Sequence, residues 1–411
     1  MGGKRNGKKL RVFFKQLLGL VDLKYLSCIE QKGLVVHIHV DFKRGAKFPY
    51  KGELCRVHDT VIREWRHMNL FQHKTYLHAR VPRIYTPEGV KQVQVPWARE
   101  GSGFTLFFEA LLLSLAQLTS VAQVHQLCDV SDNRIWRVLE HYIEKEVKFQ
   151  DFSEEPVTTL SIDEVARKKG HVYLTSFMDL ERAKVVHVSD GKGKESIFSF
   201  KERYEEKEGK VDDIETVVMD LSPAFISAIE EAFPKATIVF DKFHVVKLLN
   251  NVLDSIRRRE RKENIPRFNK IRYLLLKDPK KLKKSQRERL DEFLTQANLD
   301  TVKAYNLIQM FKRGYEYQKP SWAGKFFHHW IKLCQQSKIP EMLKGAQAIL
   351  THLKGIMAYF TYRVTNAVME GNNSKLRTIT KRSYGFKTLR YLRLMIFLVF
   401  GKLKFDVPRL T

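Results

Sequence analysis

The chain is poor in cysteine. Its four cysteines, Cys28, Cys55, Cys128 and Cys334, are scattered over 411 residues and none forms a CxxC pair. A disulfide framework is therefore not expected, and a reducing, cytoplasmic compartment is. Long apolar runs are missing as well. No window reaches the roughly 18 uncharged apolar residues of a spanning helix, and LFFEALLLSLAQL and LMIFLVF are short enough to be core helices. There is no P-loop, no GxGxxG and no GxSxG, so NTPase, dinucleotide and acyl-transfer chemistries lack support. The histidines His37/His39, His67, His78 and His328/His329 lack metal-ligand spacing. Acid is the scarcer charge: 46 Asp+Glu face 73 Lys+Arg, a formal net charge of +27. Such an excess points to a polyanionic partner, nucleic acid ahead of an anionic membrane.

What is present is an ordinary globular composition, 44% hydrophobic and 11% aromatic, in a chain long enough for two to four domains. MGGKRNGKKLRVFFKQLLGL reads as a basic arm, because Lys15 interrupts its apolar part and no small-residue cleavage site follows. LVVHIHV (34–40) alternates like a strand. Residues 41–98, rich in Pro, Gly, Arg and His with short strand-like pieces, predict a small β-module with little core.

From Thr105 the period becomes helical: FTLFFEALLLSLAQL, SVAQVHQLC and DVSDNRIWRVLEHYIEKEV. Ser131 is placed to cap the third helix, whose buried stripe would be Ile135, Val138, Leu139 and Tyr142. The tight CDVS turn suits a helix-turn-helix, with Asp132, Asn133, Arg134 and Arg137 on the recognition helix. A plain three-helix packing unit is the alternative. Residues 157–240 read as three strands (about 157–163, 171–178 and 183–189), then helix, strand, helix and strand, a mixed α/β sheet. After Asp241 the pattern is helical throughout, either an insertion or a separate domain.

Asp163, Asp220 and Asp241 each close a predicted strand, at the edge where open α/β sheets bind ligands. Asp241 is best read as the N-cap of the helix opened by DKFHVV. His244, one turn later, reads as a structural histidine or as a polar contact near the site. Asp163 and Asp220 form a pair that would repel unless cations sit between them, and Mg²⁺ suits two carboxylates plus phosphate oxygens. Glu370 is the candidate third acid. Arg363, Asn366, Glu370, Asn373 and Arg377 recur at spacings of 3, 4, 3 and 4, which on one helix gives a stripe about 80° wide. A solvated helix face would show the same pattern. Glu164 directly follows Asp163, so strand alternation sends it to the other side of the sheet, and it receives no role.

REWRHMN, VPWAREGSGFT, SIDEVARKKGHVYLT, VVMDLSPAF, FDKFHVVKLLN and TNAVMEGNNSKLR occur in an order that resembles the insertion-sequence DDE transposases of bacteria, the ISL-three family, from about Leu17 to Leu398. The resemblance implies an α/β fold. Its catalytic part would be a ribonuclease H-like mixed sheet interrupted by an α-helical insertion, preceded by a degenerate zinc-ribbon-like β-module and a helix-turn-helix. The implied domains are an arm and ribbon module (1–98), a helix-turn-helix (99–150), the first catalytic part (151–262), the insertion (263–350) and the second catalytic part (351–411). The DDE triad would fall on Asp163, Asp220 and Glu370. Where such proteins carry two Cys-Pro-x-Cys-Gly knuckles, this chain has Phe48, Lys51, Thr86 and Gly89. Cys55 and His58 alone do not make a tetrahedral site. Structural zinc is therefore not expected, and packing of Tyr50, Trp65, Tyr76 and Trp97 is expected to hold the module instead.

These readings predict an enzyme, a DNA transposase that binds terminal inverted repeats and catalyses strand cleavage and transfer. Two Mg²⁺ ions, with Mn²⁺ as a substitute, would lie roughly 3.5–4 Å apart on the three acids. Asn133, Arg134, Arg137, Arg363, Asn373, Arg377, Lys381 and Arg382 are the candidate DNA contacts, with Asp241 and His244 secondary. The partners would be double-stranded DNA of the ends and of the target, with no membrane. Synapsis of two ends would suit a dimer or larger assembly, and the expected location is a bacterial cytoplasm, associated with the nucleoid. The alternatives are a catalytically degenerate transposase acting only as a DNA-binding protein, and a nuclease that cuts without joining.

Overall fold

The computed structural model describes residues 26–168, 172–262, 268–296, 298–363, 367–383 and 385–409. The chain divides into two compact units, Met1–Lys148 with Leu403–Thr411, and Phe149–Lys402.

In the first unit, β1 (Leu26–Lys32), β2 (Val35–Val40), β3 (Lys47–Tyr50), β4 (Glu53–Leu70), β5 (His73–Thr86) and β6 (Gly89–Gln92) form a mixed sheet in the order β1-β2-β5-β4-β3, with β6 on β5. The alternation of β2 buries Val36, Ile38 and Val40 against Trp65, Leu77 and Trp97, and the two indoles meet edge to face at 5.5 Å. Tyr76 stacks on His37. Tyr50 instead joins the two hairpin tips, its hydroxyl donating to Glu88 Oε2 at 2.9 Å beside a Lys51–Glu88 ion pair. Of the expected strand pieces, TYLHARVPRIY lies on β5 and KQVQVPW only begins on β6, while the longest strand, the 18-residue β4, had no such signal. Its side chains alternate poorly, and backbone pairing with β5 along most of its length is what holds it.

Three helices follow: α1 (Leu106–Leu118), α2 (Val121–Cys128) and α3 (Asp132–Lys148). Thr105 caps α1, and Ser120 forms a capping box with Gln123 on α2. Asp129 turns left-handed (φ 52°), and the Ser131 carbonyl accepts the Arg134 and Ile135 N–H groups. That turn places α3, whose buried residues include Ile135, Val138, Leu139 and Tyr142 as expected. Glu109 is 0% exposed, so its charge needs partners. Arg99 Nε donates to both carboxylate oxygens at 3.0 and 3.1 Å, and Ser102 Oγ and the Tyr142 hydroxyl donate at 2.7 Å each. The WAREGSGF segment is thereby tied to α1 and α3.

In the second unit, β7 (Thr159–Lys168), β8 (Val172–Asp179) and β9 (Lys184–Asp190) make an antiparallel meander. β10 (Thr216–Met219) and β11 (Thr237–Phe240) add in parallel, giving the order β11-β10-β7-β8-β9. Helices α4 (Lys194–Glu205) and α5 (Pro223–Ala232) connect these strands. Phe177 and Phe200 stack at 4.6 Å in the core, beside Tyr204, which is fully buried.

The helical stretch comprises α6 (Lys242–Arg261), α7 (Arg272–Leu276), α8 (Lys284–Leu294), α9 (Asp300–Gly314), α10 (Pro320–Gln336), α11 (Pro340–Thr351) and α12 (Leu353–Tyr362). It has no separate core, because Phe311, Phe327, Trp330 and Phe360 belong to one apolar cluster with Phe177, Phe200 and Phe225. Gly355 lets α12 lie on β11: a Cβ there would stand 2.5 Å from the Phe240 ring. α13 (Ala367–Arg382) packs against β7, and α14 (Leu389–Phe400) packs against β9. No described helix is long and apolar enough to cross a membrane.

Tyr204 offers a clean test of this core. Its buried hydroxyl accepts the Val157 N–H at 3.1 Å, so Tyr204→Phe leaves a buried donor unpaired. Urea denaturation is expected to show a loss of about 1–3 kcal/mol.

Candidate active site at the parallel strand ends

The register of the parallel strands builds this site. Val218 pairs with Ser161 and with Val239; carried two residues on, Asp220 stands level with Asp163 on one side and Asp241 on the other. The Asp241 N–H donates to the Met219 carbonyl at 3.0 Å, which fixes the third strand end at this height. The acids differ in local role. Asp220 Oδ1 accepts the Ser222 N–H at 2.9 Å, a turn that launches α5 from Pro223. Asp241 is buried and caps α6, accepting the Phe243 N–H at 3.2 Å. Asp163 is half-buried within β7, and its Oδ1 accepts the Glu164 N–H at 2.8 Å.

His244 records the field of these carboxylates. Its Nδ1 lies 2.9 Å from Asp241 Oδ2. That hydrogen bond raises its pKa above the ordinary value against the effect of burial, and the charges of Asp241, Asp163 and Asp220 add to the rise. A folded-state pKa above the unfolded value of about 6.5 contributes stability that is complete below that value and lost as pH rises through the folded-state pKa. In EDTA-treated protein, His244 is expected to titrate above 6.5 by NMR and Asp241→Asn to lower its pKa. The urea midpoint of the intact chain should fall more between pH 6 and 8 than that of the variant.

Glu164 is the residue that strand alternation misses. Burial raises its pKa, and Asp220 is the next cause, with a smaller push from Asp163. β7 runs on beyond its last β10 pairing at Ser161, so Glu164 shares the field of Asp220 although it neighbours Asp163 in sequence. No local sequence signal marks this.

An open groove of about 670 Å³ beside the acids is lined by Asp220, Ser222, His244, Lys247, Asn251 and Lys344 among others. Cations thus stand beside carboxylates, an arrangement suited to a phosphodiester. α13 packs against β7, which brings the helix carrying Glu370 to the strand carrying Asp163. The side chains of Glu370 and Asn373 and the whole of Asn366 lie outside the described residues.

The single helix expected to align Arg363 with Glu370 is two helices. Arg363 ends α12 in a left-handed conformation (φ 53°), and its guanidinium donates to the Gln318 and Tyr317 carbonyls. The periodic stripe therefore breaks there, because a left-handed residue cannot continue an α-helix. Arg377, Lys381 and Arg382 are exposed on α13. On α3, Asn133, Arg134 and Arg137 are exposed, and the Arg134 guanidinium rests 4.1 Å from the Phe104 ring centroid.

Comparison with known proteins adds three family matches. Residues 160–396 match the transposase model of the ISL3 family. Residues 93–143 match the helix-turn-helix domain of transposase family ISL3. Residues 53–88 match the zinc-finger of transposases IS204/IS1001/IS1096/IS1165. A transposase for insertion sequence element IS1001 of Bordetella parapertussis is 29% identical over 355 residues, covering 84% of this chain and 86% of the relative. A transposase for insertion sequence element IS1557 of Mycobacterium tuberculosis is 24% identical over 356 residues, 80% of this chain and 79% of the relative.

The third match corrects the expectation that the chain has no structural zinc. The matched segment holds one cysteine, Cys55, so the family signal is carried by β4, β5 and their hairpin and not by cysteine pairs. It points to structural zinc, although among the described residues no group of three or more His, Cys, Asp or Glu side chains is disposed to hold a metal ion.

Proposed function

Because the chain belongs to the ISL3 family of transposases, we propose that it binds the terminal inverted repeats of its own insertion sequence and cuts and joins DNA at Asp163 in β7 and Asp220 after β10. The reading is supported by the parallel register of β10 on β7, which carried on two residues brings Asp220 level with Asp163, and by the helix that carries Glu370 packing on β7. On this reading the sheet is ribonuclease H-like, residues 263–350 are its insertion, and Asp163, Asp220 and Glu370 form a DDE triad.

The donor set fits hard divalent cations: carboxylate oxygens are the ligands Mg²⁺ prefers, and the β7–β10 register brings Asp220 level with Asp163 on the neighbouring strand. Bound Mg²⁺ would supply Lewis acidity toward the attacking hydroxyl and the scissile phosphate. The chain's own residues do the rest. The Ser222 N–H fixes Asp220, and Asp241 orients His244. Lys247 and Lys344 in the groove offset phosphate charge. Asn133 and Arg137 on α3 face bases, with Arg134 steadied by Phe104. Arg377, Lys381 and Arg382 grip the backbone without reading sequence.

The test is Mg²⁺-dependent cleavage and strand transfer by the intact chain and by Asp163→Asn, Asp220→Asn and Glu370→Gln. Unchanged activity in any of the three removes that residue from the triad.

A further inference from the structure

A cavity of about 840 Å³ lies between α6, the 276–280 turn and α9, and Asp241 is part of its lining. Its size is in the range of small-molecule sites. Three kinds of chemistry converge in it. Phe243 presents an aromatic ring that is 56% exposed, although a ring in ordinary packing would be covered. Asn250 and Gln309 line the cavity, and each has a solvent-shielded amide atom without a partner, the acceptor Oδ1 of Asn250 and the donor Nε2 of Gln309. Unpaired buried groups of this kind carry a free-energy penalty that a ligand can remove. Lys312 and Arg313 stand in a lining that also holds Lys242 and Lys280 and the acids Asp241, Asp278 and Glu316, so cations outnumber carboxylates by one. Burial depresses the Lys312 pKa and Asp278 pushes it back up.

A flat aromatic face, an amide donor with an amide acceptor, and two cations match the parts of one nucleotide. Bases stack on aromatic rings, amides pair with base edges, and Lys and Arg take the phosphate. We propose that this cavity holds a single DNA nucleotide unstacked from its neighbours, adjoining the strand-end acids through the shared residue Asp241. A nucleotide at a strand end or nick suits it best, having one stacking partner fewer to give up. The inference rests on the DNA reading above and adds to it a second, nucleotide-sized subsite.

The experiment titrates the full-length chain with the four deoxynucleoside monophosphates, with deoxynucleosides and with inorganic phosphate, followed by calorimetry and NMR. At least one monophosphate is expected to bind with a Kd of about 1 mM or tighter, and more tightly than its nucleoside or phosphate. Gln309→Leu and Lys312→Met should each weaken it about tenfold or more with the thermal midpoint retained. Phe243→Ala, at an exposed position, repeats the test without burdening the core. Absence of monophosphate binding, equal binding of inorganic phosphate, or wild-type affinity in all three variants overturns the proposal. Monophosphate binding by a chain that fails the cleavage assay keeps this subsite and removes the cleavage reading. Cleavage without monophosphate binding does the reverse.

Discussion

Asp220→Asn is expected to lose strand cleavage and joining by about 10³-fold or more while remaining folded. The asparagine Oδ1 still accepts the Ser222 N–H that Asp220 accepts at 2.9 Å, so the turn into α5 survives. What disappears is one negative charge from the proposed cation site, several kcal/mol of transition-state stabilisation at about 1.36 kcal/mol per tenfold in rate. The same variant should leave a second signature. The Asp241 hydrogen bond is the main cause of the raised His244 pKa and burial that of Glu164, and Asp220 adds to both. Both should therefore fall a little when its charge is removed, Glu164 more than His244, as NMR titration in EDTA would show. Full activity in Asp220→Asn would sink the assignment. Asp163→Asn should lose activity to a similar extent, with a smaller effect on Glu164, since Asp163 ranks below Asp220 among the causes acting there.

The second large effect is that of salt. With a formal net charge of +27, the chain should neutralise many phosphates. Six to ten contacts imply an affinity loss of about 10³–10⁵ between 50 and 200 mM salt. Fluorescence anisotropy on a labelled duplex measures this directly, and a flat response would falsify the DNA reading of the charge. Within that response the two groups of exposed cations should separate. Substituting Lys381 or Arg382 should weaken all sequences alike and reduce the salt slope by about 1. Arg137→Ala on α3 should instead narrow the difference between the element's own ends and unrelated DNA.

Local signals made much of this molecule legible. Thr105 caps α1 as a hydroxyl before an apolar stripe does, the buried stripe of α3 follows from its spacing, and the strands around Asp163 and Asp220 follow from β-branched and apolar runs. Structural zinc was not legible in the sequence because Cys55 and His58 offer only two ligands at the knuckle positions, whereas the 53–88 match spreads over paired strands. The Arg363 stripe failed because helical periodicity says nothing of a single residue that turns left-handed.

The sequence by itself determined the charge, the helix starts, the helix-turn-helix grammar and the acids that follow β10 and β11, Asp220 and Asp241, because each depends on neighbours within a few residues. Asp163, expected to close its strand, instead lies inside β7, which pairing with β8 carries on to Lys168. Tertiary structure alone decided that β10 lies between β7 and β11, that Asp241 therefore joins Asp163 and Asp220 at one height, that Glu164 feels Asp220, and that the helical stretch shares the sheet's core. These depend on which distant segments pair and in which register. Pairing of that kind is fixed by hydrogen bonds and burial between segments far apart in the chain, which no local pattern records.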